Sequence, residues 1–321
     1  MTNQPLAAPP RSALVPPDAA FARILLGVDF SAASLAAARW ATTHVAPRAT
    51  AILSHILPFP DDSAEGDEAD SPKTDSLRHM KPALAGGLGG FAATLRVANA
   101  RSILRIGRPS RWLSLIANAE EASLLVLGRR ADANRIRVGE PNVIERASRR
   151  TSASVLVVPE GISQPPAHVV AAVDDSRFAP RVLRVARWLA RLHEVPMTVL
   201  HVLSPAVGAY DRVIRSARHL LAGDRSNRTS EHEPAPNALP LRMARWLVEL
   251  GQSHNVRGRD RTEVAMGDPA REITACARSS EATLVVVGMR GADDAPIGSI
   301  GSVARELLTR APVPVLAVNG P

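Results

Sequence analysis

The residues best suited to chemistry are a set of glycines near the carboxyl end. Gly288, Gly291 and Gly301-Ser302 follow the spacing Gly-x2-Gly-x9-Gly-Ser, directly after the apolar run Leu284–Val287. A glycine at a strand end permits a tight turn and lets the backbone approach a ligand closely. Gly301-Ser302 opens a helical pattern, and the free N–H groups and positive end of a helix suit a phosphate. The Ser302 hydroxyl is placed either to cap that helix or to donate to a phosphate oxygen, with Val303 beside it in the first turn. Arg290 lies inside the loop, within reach of a phosphate tail. Asp293 and Asp294 share the loop and are read as solvent-exposed, with phosphate repulsion and cation binding as the other readings.

Asp174 is the second element. It ends an apolar run, Val169–Val173. In open parallel sheets, ligands bind beyond the carboxyl ends of strands where the strand order reverses. A carboxylate there suits an adenine amino group or a ribose hydroxyl rather than a phosphate. One acceptor and one glycine-lined anion pocket describe a nucleotide site. The spacing does not fit GxxxxGK[ST], whose lysine the region lacks, nor a Gly-x-Ser-x-Gly elbow. No general base is evident beside the glycines.

These residues need a scaffold, and the chain spells that scaffold twice. Ile24–Ser31 has a counterpart in Val169–Ser176, and Ala51–Leu57 in Thr198–Leu203. Arg105–Pro109 matches Ala265–Pro269, Ser123–Gly128 matches Thr283–Gly288, and Ser154–Pro159 matches Pro314–Asn319. The offset is about 150 residues, too long for a solenoid repeat, so a whole domain is duplicated. Each half alternates short Val/Ile/Leu runs with amphipathic stretches, the pattern of a parallel sheet buried on both faces. In the second half, strands are expected at 168–174, 197–203, 261–266, 283–288 and 313–318, with helices at 178–193, 239–251, 269–278 and 302–309. In the first half, strands are expected near 23–29, 50–56, 100–106, 124–128 and 154–158. Asp268-Pro269 reads as a helix cap followed by a first-turn proline. The fold class is α/β, with two tandem Rossmann-like domains of open parallel sheet flanked by helices.

On these motifs the chain resembles a tandem universal stress protein, of the adenine-nucleotide-binding HUP-type α/β superfamily. The resemblance spans about 20–160 and 165–319. It rests on Gly288/Gly291/Gly301-Ser302, supported by Val173-Asp174, His201-Val202, Gly267-Asp268-Pro269 and the closing run Val313–Val318. It implies five strands per domain in the order 3-2-1-4-5, with ATP, alone or with Mg, as the ligand. Asp174 would hold the adenine or ribose end and Val202 would pack on adenine. Gly288, Arg290, Gly291, Gly301, Ser302 and Val303 would surround ribose and phosphates. It also implies pairing through the last strands, here Val155–Pro159 with Val313–Val318 as an intramolecular pseudo-dimer, with a homodimer of the whole chain left open.

The first half departs from the motif. Asp29, Ile56 and Gly128 are kept, but Ala131, Pro141 and Asn142 stand where the second half has Gly291, Gly301 and Ser302. A proline brings no N–H to a phosphate. The half is read as degenerate and kept for its fold; the alternative is anion binding by Arg129, Arg130, Arg135 and Arg137. The chain divides into a disordered leader (1–20), domain one (21–160), a linker (161–167) and domain two (168–321). Asp61–Asp75, with seven acidic residues, and Gly223–Pro240 are read as solvated loops.

Composition sets the outer bounds. The 321 residues are 45% apolar and 22% charged but only 3% aromatic, so the cores must rest on aliphatic side chains. One Cys, Cys276, excludes a disulfide framework and a thiolate zinc site; it is read as an inert core thiol. His55 and His201 occupy equivalent strand ends and are read as structural. No apolar run is long enough to span a membrane, and a cytosolic location is expected. The net charge of +8 is spread evenly over both halves and is almost wholly arginine, so a dedicated nucleic-acid role is not expected. The leading reading is a regulatory or sensory ATP-binding protein that acts on an unknown protein partner. A slow nucleotide-processing enzyme and a ligand-free scaffold with an arginine-rich surface are the alternatives.

Overall fold

The structure is a computed structural model that describes residues 21–58, 72–97, 99–131, 143–203, 245–247, 249, 259–290 and 299–320. The first half runs β1 (Arg23–Gly27), α1 (Ala32–His44), β2 (Thr50–Leu57), α2 (Pro72–Ala92), β3 (Asn99–Ile106), α3 (Pro109–Ala119), β4 (Leu124–Arg129), α4 (Val143–Arg150) and β5 (Ser154–Pro159). The second runs β6 (Val169–Ala172), α5 (Ala179–Leu192), β7 (Met197–Leu203), β8 (Arg261–Met266), α6 (Pro269–Ser279), β9 (Leu284–Gly288), α7 (Ser302–Arg310) and β10 (Val315–Val318).

The ten strands form one sheet in the order β3-β2-β1-β4-β5-β10-β9-β6-β7-β8. Each half therefore has the expected order 3-2-1-4-5. All pairs within a half are parallel. The halves meet at an antiparallel seam in which Leu316 lies opposite Leu156 and Val315 opposite Val157. The central strands are buried on both faces, which is why they read as unbroken aliphatic runs. Ile24 and Leu26 face one core layer with α1 and α5, and Leu25 faces the other with α3 and α6.

Side chains reach across the seam at several points. Arg129 of β4 is buried and donates to the carbonyls of Leu308, at 3.3 Å, and Ala311, at the end of α7. In the opposite direction, Asn319 Nδ2, just past β10, donates to Thr151 O and Ser152 O just past α4, at 3.2 and 3.1 Å. Each half thus satisfies carbonyls that the other half's helix leaves open. Trp40 Nε1 donates to the Gln164 carbonyl at 2.8 Å and ties the connecting segment down.

The structure corrects one expectation. The acidic segment 61–75 is not loop to its end, because α2 begins at Pro72 and takes in Pro72–Asp75. Proline is well suited to a first helical turn, where its missing N–H is not needed. Several strands are shorter than expected, among them β6, which stops at Ala172 and leaves Val173 and Asp174 beyond the strand end. Of the helix expected over 239–251, the described residues 245–247 and 249 are helical. The leader, the segment Gly223–Pro240 and the acidic residues 61–70 lie outside the described residues. Among the described residues, no helix is long and apolar enough to cross a membrane.

Candidate functional site

A cleft of about 250 Å³ opens beyond the carboxyl ends of β6 and β9, and it is lined by Asp174, Val202, Gly288, Arg290, Gly301, Ser302 and Val303. These are all the candidate residues except Gly291, which lies outside the described residues, as do Asp293 and Asp294. The cleft sits at the strand-order reversal, since β6 has β9 on one side and β7 on the other.

Each residue is held by its element. Gly288 ends β9, and a Cβ there would lie 2.9 Å from the Arg290 carbonyl oxygen. The turn from the sheet into the loop is therefore too tight for a side chain at this position. Two bonds close the base of the loop. Gly301 N donates to Met289 O at 2.9 Å, and Arg290 Nε donates to Ser299 O at 3.3 Å. Gly301 is the N-cap of α7, with φ −61° and ψ 147°, and it has no side chain to satisfy the first-turn N–H groups. Ser302 is the first helical residue and not the N-cap, so its hydroxyl does not cap α7. By contrast, α6 is capped by Asp268, which accepts from Arg271 N at 3.0 Å. The start of α7 thus presents open backbone donors and a positive helix end to the cleft.

Asp174 stands on the opposite wall. Its Oδ1 accepts from Ser176 Oγ at 2.5 Å and from Ser176 N at 3.2 Å. Burial pushes its pKa up, against the Ser176 hydrogen bonds that pull it down, and Asp175 adds to the rise. A carboxylate held in this way gains from a further donor. Phe178, Val182, Leu200, Val202 and Ile273 give the cleft an apolar lining. The donor set and lining suit an adenine nucleotide: a flat base or sugar against the aliphatics and Asp174, and phosphate at α7. Among the described residues, no group of three or more His, Cys, Asp or Glu is placed to hold a metal ion.

Sequence reasoning missed Phe178, Val182 and Ile273. Phe178 and Val182 are four residues apart at the start of α5, a spacing that puts both on one helix face. That periodicity was visible, but not which wall the face would form.

At the corresponding strand end of the first half, the backbone of α1 packs closely. A Cβ on Gly128 would lie 2.4 Å from the Ala33 carbonyl and 2.5 Å from Ser34 N, so the first turn of α1 rests on the end of β4. At Gly288 the nearest α5 atom is a Val182 methyl at 3.7 Å. The difference begins in the preceding loop. α1 starts three residues after Asp29, whereas α5 starts five residues after Asp174. The shorter loop turns through Phe30 at φ 62°, and Asp29 Oδ1 accepts from Ser31 Oγ at 2.5 Å and Ser31 N at 2.9 Å. Burial opposes ionisation of Asp29, but the Ser31 and Ser34 bonds outweigh it and leave the pKa lowered. Pro141, Asn142, Arg135 and Arg137 lie outside the described residues.

Other side chains have plain structural roles. His55 Nδ1 and His201 Nδ1 sit 2.7 and 2.9 Å from the carbonyls of Val28 and Val173. Cys276 is buried, and burial beside Glu263 pushes its thiol up to about 11. That leaves it protonated and unreactive. Trp188 packs on Phe21 and Trp246 on His201.

Such a sheet, with a glycine-lined cleft at its strand-order reversal, defines a doubly wound α/β protein. The model of the universal stress protein family matches residues 20–159 and again 167–319, and the chain belongs to that family. A curated universal stress protein of Mycolicibacterium smegmatis is 28% identical over 152 residues, which is 47% of this chain and 48% of the relative. The match thus spans about half the length of that relative. A solved universal stress protein from Archaeoglobus fulgidus shares the fold, with TM-score 0.58 at 17% identity, over 92% of this chain and 98% of that one. A protein of unknown function from Pseudomonas aeruginosa does so with TM-score 0.54 at 12% identity, over 94% of each chain.

Proposed function

We propose that the protein is a regulatory adenine-nucleotide-binding member of the stress response, and that it takes ATP in the second half alone. The observation that carries this reading is the convergence of Asp174, Val202, Gly288 and the open start of α7 on one cleft. Asp174 accepts a hydrogen bond from the base or sugar. The Ser302 hydroxyl and the first N–H groups of α7 receive the phosphates. Arg290 spans the loop base and adds positive charge beside them. Occupancy of the cleft alters the surface offered to a protein partner. The first half contributes the sheet seam and no nucleotide.

The test is mass spectrometry of a gently purified, denatured sample together with isothermal titration of the full chain with ATP. One adenine nucleotide per chain supports the reading. Two per chain overturns the restriction to the second half, and none in either measurement overturns the reading itself. A turnover assay on the same sample bears on the enzymatic alternative: sustained hydrolysis at a rate typical of enzymes, on the order of 1 per second or faster, would replace regulation with catalysis.

A further inference from the structure

A second cleft, of about 600 Å³, lies on the seam between the halves and is lined by both. It lies along the same two helices as the first. Pro269 of α6 and Ser302 of α7 line the first cleft, while Arg271 and Arg278 of α6 and Arg310 of α7 line the second. The first half adds Arg129, Arg130 and Glu160. Among the described residues, five arginines face two glutamates, Glu160 and Glu306, an excess of three positive charges. Both glutamates already have partners: Glu160 accepts from Ala131 N at 3.0 Å, and Glu306 lies 3.9 Å from Arg310.

Arg129 is the buried cation of this cleft. It is 8% exposed, and its Nη atoms donate to two neutral carbonyls at the end of α7. The negative end of the helix offsets part of its charge. Burial alone disfavours its charged form, yet a guanidinium stays protonated. A buried cation on the wall of an arginine-rimmed cleft is a standing attraction for an anion.

We propose that this seam cleft is a second ligand site, for a linear polyphosphate group, either free or carried on a small organic molecule. The length of the ligand follows from α6. Arg271 and Arg278 are seven residues apart on that helix, ~10 Å along its axis. The two side chains must lean together to share a single phosphate, whereas a chain of two or three phosphates meets each of them extended, with Arg310 and Arg130 closing on it from the sides. The volume lies in the small-molecule range. Among the described residues, no aromatic side chain lines the cleft to stack a base, which argues against single-stranded nucleic acid as the occupant.

The test is isothermal titration of the full chain with inorganic tripolyphosphate, without magnesium and at fixed ionic strength. A Gly301→Asp background removes competition from the first cleft. One saturable site per chain is expected. Arg271→Gln with Arg278→Gln should weaken it at least tenfold, while Arg184→Gln with Arg191→Gln on the exposed face of α5 should leave it within twofold. Arg310→Gln serves as the independent variant if circular dichroism shows that the α6 pair disturbs folding. ATP in the same background binds equally if only the phosphate chain is read, and more tightly if an attached group is read. The proposal is overturned by absence of saturable binding, by several ions per chain, or by equal losses from the α5 and α6 pairs. Tighter binding of a short single-stranded RNA also overturns it.

Discussion

Substituting Gly301→Asp separates ligand binding from folding more cleanly than any other change to the cleft. The backbone at Gly301 has φ −61° and ψ 147°, a region open to every residue. Aspartate is also a strong N-cap, whereas glycine contributes no side-chain bond there. The variant should therefore fold as well as the parent, with a gain of a few tenths of a kcal/mol from the cap. Its charge at the positive helix end adds about 0.3–1 kcal/mol. Both terms point to an unchanged or slightly raised melting temperature. The same carboxylate occupies the first-turn N–H groups and sits where phosphate would lie. Two unit charges ~4 Å apart at an effective dielectric near 20 repel by about 4 kcal/mol. Even half of that exceeds a tenfold loss, and with the donors also taken the ATP affinity should fall at least ~100-fold. The assay pairs isothermal titration with a thermal melt. ATP affinity within threefold of the parent, in a protein that melts normally, would refute the assignment of phosphate to α7.

Asp174→Asn should weaken ATP binding at neutral pH, as an amide accepts less strongly than a carboxylate. The raised pKa of Asp174 adds a stability effect whose sign is fixed. A carboxyl group with a folded pKa above its unfolded one favours folding at low pH and loses that contribution as pH rises through the folded pKa. The unliganded Asn variant should hence be more stable than the parent at pH 7, and the difference should vanish below about pH 4, as read by urea unfolding across pH. Gly128→Ala places a methyl 2.4 Å from the Ala33 backbone and should cost about 1–3 kcal/mol in the same measurement, with little effect on ATP binding. Arg129→Gln removes a buried donor pair that links the halves; thermal unfolding should show a loss of about 1–3 kcal/mol from unsatisfied carbonyls.

The fold was legible because a sheet buried on both faces writes its strands as uninterrupted aliphatic runs, and β7 and β8 fall at the expected residues. The glycine motif was legible because tight turns and helix starts constrain residue type locally. Asp268-Pro269 announced α6 for the same reason. Tertiary apposition was not legible. The close approach of α1 to Gly128 goes with a two-residue difference in loop length and with Phe30 entering the left-handed region, which no residue pattern forecasts. Phe178 and Val182 were readable as one helix face but not as the wall of a cleft. The seam cleft joins side chains nearly two hundred positions apart, so its arginines looked like scattered surface charge. The start of α2 at Pro72 was hidden by the acidic run before it.

The antiparallel seam between Val155–Val157 and Val315–Ala317 has a consequence for heredity as well as shape. A protein assembled from two separate copies must keep every copy competent, since one gene supplies both. Here the tie between lobes is covalent, so their docking is indifferent to dilution, and each lobe answers to its own stretch of coding sequence. One lobe is then at liberty to surrender its pocket and serve as a brace while its sibling retains the older trade.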